Sequence, residues 1–396
     1  MKVYSKFDSS LLGEAEGVKP EKDPGEGRIV NPMKVARAIL ENLRTLRNNQ
    51  DMLAIYSSET GKTVDACRRE LDSSILHLEI GGLRKISDIF GERSVNSRSF
   101  SRDAFTFLDE GMPVFSLVAQ MISNMARGKA QMIVHCENAP LTTMYLTEGI
   151  SERYEQVGSM LFDLLPDVFE NKGKLPEWTG EITVWGSERR IDAMPFHVMN
   201  SGFRARLTSN FPVLIRNYSG ISPAVDRVME MSFNSISNAG MRGQIYMVPD
   251  KDFVFFRNRI IETVKRMADD HYGAESSVNY FPSKEHSDRT RQKVADLLKV
   301  GWDYIDELPE TVHILTDQYG DIQEGIELLD GPVIQVMHYS SLMDCAKRIE
   351  KMNFGDRLDF YGDSMNDYDF LKEYFGSRRK VISGKSMNEM MPDFIL

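Results

Sequence analysis

Cysteine is scarce in this chain. Only Cys67, Cys136 and Cys345 occur among 396 residues. Three widely spaced thiols cannot make a disulfide framework and suit a reducing compartment, so the sequence reads as cytoplasmic. No cysteine stands between Cys136 and Cys345. Long apolar runs are also missing, which excludes a bilayer-spanning helix. The opening residues Met1–Asp8 lack the apolar stretch of a signal peptide. The seven histidines never pair at metal-ligand spacing, so no metal site is expected. Positive charge is in deficit: Lys plus Arg number 48 against 59 Asp plus Glu, a formal charge of −11. That balance argues against nucleic acid or an acidic membrane surface as the main partner.

What is present is a long alternation of apolar patterns. Residues 1–31, rich in Gly, Pro, Lys and Glu from residue 13 on, read as a mobile lead-in. Asn31-Pro32 then opens a helix, proline being suited to the first helical position. Val35, Ile39, Leu40, Leu43 and Leu46 recur behind it at helical spacing. Two more helices follow, stopping near Gly61 and Ile80. Cys67 falls on the inward face of the third with Val64 and Leu71, the place of a small core residue. From Ala104 the pattern becomes strand, helix, strand: Ala104–Leu108, a helix entered through Gly111-Met-Pro113, then Met132–Val134. This is a βαβ unit. Further strands are predicted at Glu181–Trp185, Pro212–Ile215, Gln244–Val248, Thr311–Leu315, Val333–Met337, Leu358–Tyr361 and Lys380–Ile382. Helices are predicted over Pro223–Ser237 and Asp252–Met267. The alternation predicts an α/β fold with open, doubly wound parallel sheets.

Several short segments, in the same order, resemble the aldehyde dehydrogenase superfamily. They are Ser58-Glu-Thr-Gly-Lys62 with Glu70-Leu71, Gly111-Met-Pro113, Asn138-Ala-Pro-Leu-Thr142, Val184-Trp-Gly-Ser187, Gly220-Ile-Ser-Pro223 and Gly331-Pro-Val333. Within the superfamily, Arg98-Ser-Phe100, Gln244-Ile-Tyr246 and Arg379-Lys-Val-Ile-Ser-Gly384 are similar to the acyl-CoA reductase branch. The resemblance spans roughly residues 33–392. It implies two Rossmann-like parallel-sheet domains, a cofactor-binding half over 32–217 and a catalytic half over 218–396. It also implies NAD or NADP as cofactor and an acyl-CoA or aldehyde as substrate. The segment Arg93–Asp103 is short and the usual C-terminal extension is lacking. That puts the family's usual oligomerisation in doubt and leaves a homodimer or another protein partner open.

The chain departs from that family where chemistry is done. The nucleophilic cysteine falls on Gly240 or Gly243, depending on the gap. A thiolate there would form the covalent intermediate, and glycine cannot. The Asn that holds the oxyanion falls on Gly111, which can offer only backbone. The general base falls on Asn217, which takes no proton at neutral pH. On the cofactor side, a lysine falls on His135 and a ribose-binding acid on Leu328. Gly186-Ser187 still forms a turn that could receive a phosphate, and Arg189 and Arg190 could pair with a 2′-phosphate or CoA phosphates. Cys136 follows a strand beside His135, but adjacent strand residues point to opposite faces and do not pair. Cys345 sits at helical spacing with Leu342 and Ile349, as a core residue does.

One motif belongs to another class. Gly362-Asp-Ser-Met-Asn-Asp367 resembles the Mg2+-binding acids of haloacid-dehalogenase-type phosphatases, whose ions take oxygen ligands. The nucleophile would have to come from Thr316-Asp-Gln-Tyr-Gly-Asp321. The plainer reading is that Asp363 or Asn366 caps a helix. Three functions therefore stand: an NAD(P)-linked oxidoreductase with altered, weak or absent thiol chemistry; a non-catalytic protein of that fold binding a nucleotide, CoA or a protein; and a phosphatase-type site.

Overall fold

The computed structural model describes residues 2–4, 10–14, 32–82, 104–126, 132–135, 138–153, 162–164, 181–186, 188–192, 203–208, 210–216, 221–235, 237, 242–267, 276–281, 283–305, 308, 312–317, 329, 331–352 and 357–383. The chain forms two units. One is built on residues up to Thr60 and from Cys67 to Thr208. The other is built on Gly61–Ala66 and Ser209–Met387. The crossing at Thr208 corrects the expected boundary at Asn217. The strand Phe211–Arg216 is a member of the second sheet, so the change of unit has to precede it.

In the first unit, strands β1 (Lys2–Tyr4) and β2 (Leu11–Glu14) pair antiparallel. Leu12 packs on Leu141 with Ile55 and Met144. The chain start is therefore not wholly a loose lead-in; residues 15–31 lie outside the described part. Helices α1 (Pro32–Asn48), α2 (Gln50–Thr60) and α3 (Val64–Leu76) follow, α3 running into a π-helical turn over His77–Gly82. Val35, Ile39, Leu43 and Leu46 of α1 are all buried, as their spacing requires.

The sheet of this unit carries β3 (Ala104–Phe107), β4 (Met132–His135), β5 (Phe162–Leu164), β6 (Glu181–Gly186) and β7 (Phe203–Leu207). Their order is β5-β4-β3-β6-β7, all parallel. Helices α4 (Pro113–Ala126), α5 (Pro140–Arg153) and α6 (Glu188–Asp192) follow β3, β4 and β6. Strand β7 is not foreseen from sequence because Phe203-Arg-Ala-Arg-Leu207 carries charge. It is an edge strand, where an outward arginine is tolerated, and Arg204 pairs with Glu181 of β6 at 2.9 Å.

Two buried glutamates fix the crossover helices. Glu59, at the end of α2, accepts the backbone N–H groups of Leu141 (2.7 Å) and Thr142 (3.1 Å) and the Thr142 hydroxyl. Glu70, on α3, accepts the N–H of Phe115 (2.9 Å) and the hydroxyl of Tyr56. Each carboxylate thus meets the unpaired amides at the start of a helix, where the helix dipole also favours negative charge.

The second unit carries β8 (Phe211–Arg216), β9 (Gly243–Pro249), β10 (Asp303–Tyr304), β11 (His313–Thr316), β12 (Val333–Tyr339), β13 (Arg357–Gly362) and β14 (Lys380–Ser383). Their order is β10-β11-β12-β9-β8-β13-β14, and only β10 is antiparallel. Helices α7 (Ile221–Val228, continued by a π-helical turn Met229–Phe233) and α8 (Asp250–Met267) follow β8 and β9. Helices α9 (Lys284–Lys299), α10 (Leu342–Lys351) and α11 (Met365–Phe375) complete it. Helix α7 ends earlier than its apolar pattern suggests, because Asn234 leaves helical geometry to bond Thr63. Gly331 in Gly331-Pro-Val333 is structural: its φ is +77°, and a Cβ there would lie 2.0 Å from the Phe281 ring.

Replacing Glu59 by Leu should cost about 3 kcal/mol, since it strands buried amides without a partner. Glu59→Gln should cost less, because one oxygen acceptor is kept. Urea midpoints of the two variants, with m unchanged, check the order; equal losses would show that packing and not amide capping is at stake.

Candidate functional site

In an open parallel sheet, ligands bind at the carboxyl ends of the strands, where the strand order reverses. In the first unit that point lies between β3 and β6. Three of the residues singled out from sequence, Gly111, Gly186 and Arg190, gather there.

The turn after β3 is closed around Asp109, a buried residue. Its Oδ1 accepts the N–H groups of Gly111 (2.8 Å) and Met112 (2.7 Å). Its Oδ2 accepts the Thr208 hydroxyl, and its own N–H goes to Ser116 Oγ. The Thr208 N–H reaches Gly186 O at 2.9 Å, joining the ends of β6 and β7 to the same turn. The Gly111 amide, the backbone donor expected to face an oxyanion, is thus already spent inside the turn. With Glu70 on the next helix start, the β3–α4 turn presents two carboxylates where a phosphate would otherwise be received.

The β6 end differs. Gly186 is its last residue, and a Cβ there would lie 2.6 Å from Arg190 Cδ. Arg190 lies across the strand ends. Its Nη1 donates to the carbonyl oxygens of Leu108 and Trp185, and its Nε is 3.4 Å from the Glu110 carboxylate. The guanidinium therefore serves first as a tie between β3 and β6. Arg189 lies on α6 and His135 ends β4; their side chains, with Ser187, fall outside the described residues. So do Leu328, Cys136, Asn217 and Gly240.

Gly243 is described. It is the first residue of β9, one position before the predicted strand start at Gln244, and faces Phe211 of β8. Its missing Cβ makes room for the Tyr246 hydroxyl, which would stand 2.6 Å away, and for Val213 Cγ2 at 2.9 Å. The Ser232 hydroxyl fills the same corner, bonding Gly243 O and Tyr246 Oη. Burial raises the Tyr246 phenol above its usual range, keeping it a neutral hydrogen-bonding group. The residues that follow α7 are bonded by Asn279, which donates to Ser235 O (2.7 Å) and Phe233 O (2.6 Å) and accepts from Thr63 N (3.0 Å). None of these groups is a thiol. Cys67 and Cys345 are buried, and burial pushes the Cys345 thiol well above its usual range, the opposite of a nucleophile's tuning.

The acids of the phosphatase-type motif do not converge. Asp363 and Asp367 follow β13, whereas Asp317 follows β11, and β12, β9 and β8 lie between those strands. At the spacing of neighbouring strands that is about 19 Å. The cap of α11 is Ser364, whose side chain accepts from Asp367 N, and not Asp363 or Asn366. Asp367 is paired with Arg216, and Asp317 lies 3.6 Å from Arg348. Among the described residues, no cluster of His, Cys, Asp or Glu is placed to hold a metal ion, and no helix is long and apolar enough to cross a membrane.

Asp109, Glu59 and Glu70 were not foreseen as site residues. Asp109-Glu-Gly111 after a strand is a recognisable Asx-turn signal. The two glutamates stand in the segments Ser58-Glu-Thr-Gly-Lys62 and Glu70-Leu71, but their amide partners lie 45 to 83 positions away, so their role is not readable locally.

No family model matches the chain, and no curated protein sequence matches it. Solved structures do. One is aldehyde dehydrogenase 21 from Physcomitrella patens in complex with the product succinate, at TM-score 0.79 and 14% identity over 98% of this chain and 86% of that one. Another is a salicylaldehyde dehydrogenase from Pseudomonas putida G7 complexed with salicylaldehyde, at TM-score 0.80 and 13% identity over 98% and 87%. An NAD-dependent benzaldehyde dehydrogenase from Corynebacterium glutamicum gives TM-score 0.76 and 14% identity over 100% and 91%. The chain has the aldehyde dehydrogenase fold, with its two Rossmann-like units.

A side chain at 243 has no space. Gly243→Ala should destabilise the protein by about 1–3 kcal/mol through overpacking. In a Tyr246→Phe background the same change should cost less, because the hydroxyl nearest the new methyl is gone. A double-mutant cycle showing no coupling would break the packing account.

Proposed function

We propose that this protein is an NAD(P)-binding member of the oxidoreductase type that this fold serves, descended from acyl-CoA or aldehyde reductases, in which thiol catalysis has been lost. The observation that carries this reading is the segment entering β9. It contains no cysteine. Its described strand residue Gly243 is packed against Tyr246 and Val213, so it has no room for a nucleophile. Aldehydes and acyl-CoAs are the substrate classes that fit the resemblance. Weak or altered turnover, or binding alone, is what the remaining groups support.

The fit to a nucleotide is one-sided. The β3–α4 turn is filled by Asp109 and capped by Glu70, and a phosphate there would meet two carboxylates. The β6 end is the better receiver, where Arg190 packs over Gly186 and supplies positive charge between the strand ends. When bound, the nicotinamide would supply hydride chemistry. The residues of this chain would bind and orient it: Arg190 beside Gly186 at the β6 end, holding β3 and β6 in register, and Arg189 on α6. His135, at the end of β4, stands one strand further along the same edge.

Thermal melts with NAD, NADP and acyl-CoAs test this. A ligand at ten times its Kd should raise stability by about 1.4 kcal/mol. Absence of any shift with either nicotinamide would remove the cofactor half of the reading. Intact-mass measurement after incubation with acyl-CoA should show no adduct on Cys67, Cys136 or Cys345. A stoichiometric adduct on Cys136, lost in Cys136→Ser, would restore covalent catalysis.

A further inference from the structure

The sheet of the second unit has its own reversal of strand order, between β8 and β13. From β8 the chain leaves through α7 to reach β9 on one side. From β13 it leaves through α11 to reach β14 on the other. The two connections also lie on opposite faces. Ser232, following α7, bonds Tyr246, which shares a face with Val213 and Asp359 by register. Tyr339 and Arg216 share the other face by register, and Asp367 of α11 bonds Arg216. Connections that diverge in this way leave a crevice at the strand ends, the place where open α/β sheets take ligands. Nothing in the proposed function uses this one.

The residue at that point is a cation. Arg216 ends β8, with its side chain 26% exposed. Its Nε donates to Asp367 Oδ2 at 2.6 Å, which fixes the guanidinium from one edge. The Tyr339 hydroxyl lies beside it and donates to Ile215 O at 3.0 Å, closing the floor beneath it. The neighbouring position on β13 is Gly362, paired with Arg216 in register, so no side chain covers the guanidinium from that strand. Glycine is required there, since a Cβ would stand 2.2 Å from Arg216 O. The guanidinium is held by Asp367 at Nε and by the Tyr339 hydroxyl, and the rest of its planar edge has the geometry that matches a phosphoryl oxygen.

We propose that Arg216, at the β8–β13 strand ends of the second unit, is a binding site for a phosphoryl group, with Asp367 as the internal counter-ion that the ligand displaces. The site is separate from the nicotinamide reading and does not depend on it. The phosphoryl group is either the free ion or one carried on a nucleotide.

Titration of inorganic phosphate into the full chain, at ionic strength held constant with chloride, tests the assignment. Arg216→Gln should abolish saturable binding. Arg216→Lys should weaken it, since the fork is lost but the charge kept. Asp367→Asn should tighten it roughly two- to fivefold, the size of a partly exposed ion pair removed. Melting curves without phosphate show whether each variant is folded; if Arg216→Gln is not, the other two variants decide. A parallel titration with a nucleoside diphosphate tells which source binds better. No saturation by either probe in the unaltered protein, binding unchanged in Arg216→Gln, or weaker binding in Asp367→Asn would overturn the proposal.

Discussion

Buried carboxylates paired with helix-start amides are the constraint on which the first unit depends. Glu59 holds the start of α5, Glu70 the start of α4, and Asp109 the turn that leads into α4. A buried charge is tolerated only when hydrogen bonds replace its water, and a helix start supplies them ready-made. The arrangement locks the N-terminal helices onto the sheet. It also decides chemistry. A helix start given over to a glutamate is no longer a place for phosphate, so the first crossover turn is a structural joint.

In the second unit the start of β9 is absorbed into packing. Here the Tyr246 hydroxyl and Ser232 occupy the volume over Gly243. Asn279 meanwhile holds Phe233 and Ser235 through their backbone carbonyls, bonds that need no particular side chain there. Fold and chemistry rest on different atoms, so likeness to dehydrogenases of known structure can extend over nearly the whole chain at 13–14% identity.

Much of the architecture was legible in residue order. Apolar spacing located α1 to α4, and β-rich runs between glycine and proline signals located β3, β4, β6, β8, β9 and β11 to β14. Strands β5, β7 and β10 were missed because they are short, charged or at edges, where burial does not enforce a pattern. The phosphatase-like motif was legible as letters but misleading as chemistry. Its acids end one strand and its required partner ends another, and sequence does not state how many strands stand between.

The sequence by itself determined the fold class, through alternation of periods, and the absence of a thiol before β9, because composition along a segment is fixed in one dimension. Only the tertiary structure decided what the remaining polar groups do. Arg190 ties strand ends, Gly243 makes space for a phenol, Ser364 caps α11, and Arg216 stands at a reversal of strand order. Two of these assignments join residues far apart in the chain, 82 positions between Arg190 and Leu108 and 151 between Arg216 and Asp367. Distances of that kind are set by packing of whole elements, and no local pattern encodes them.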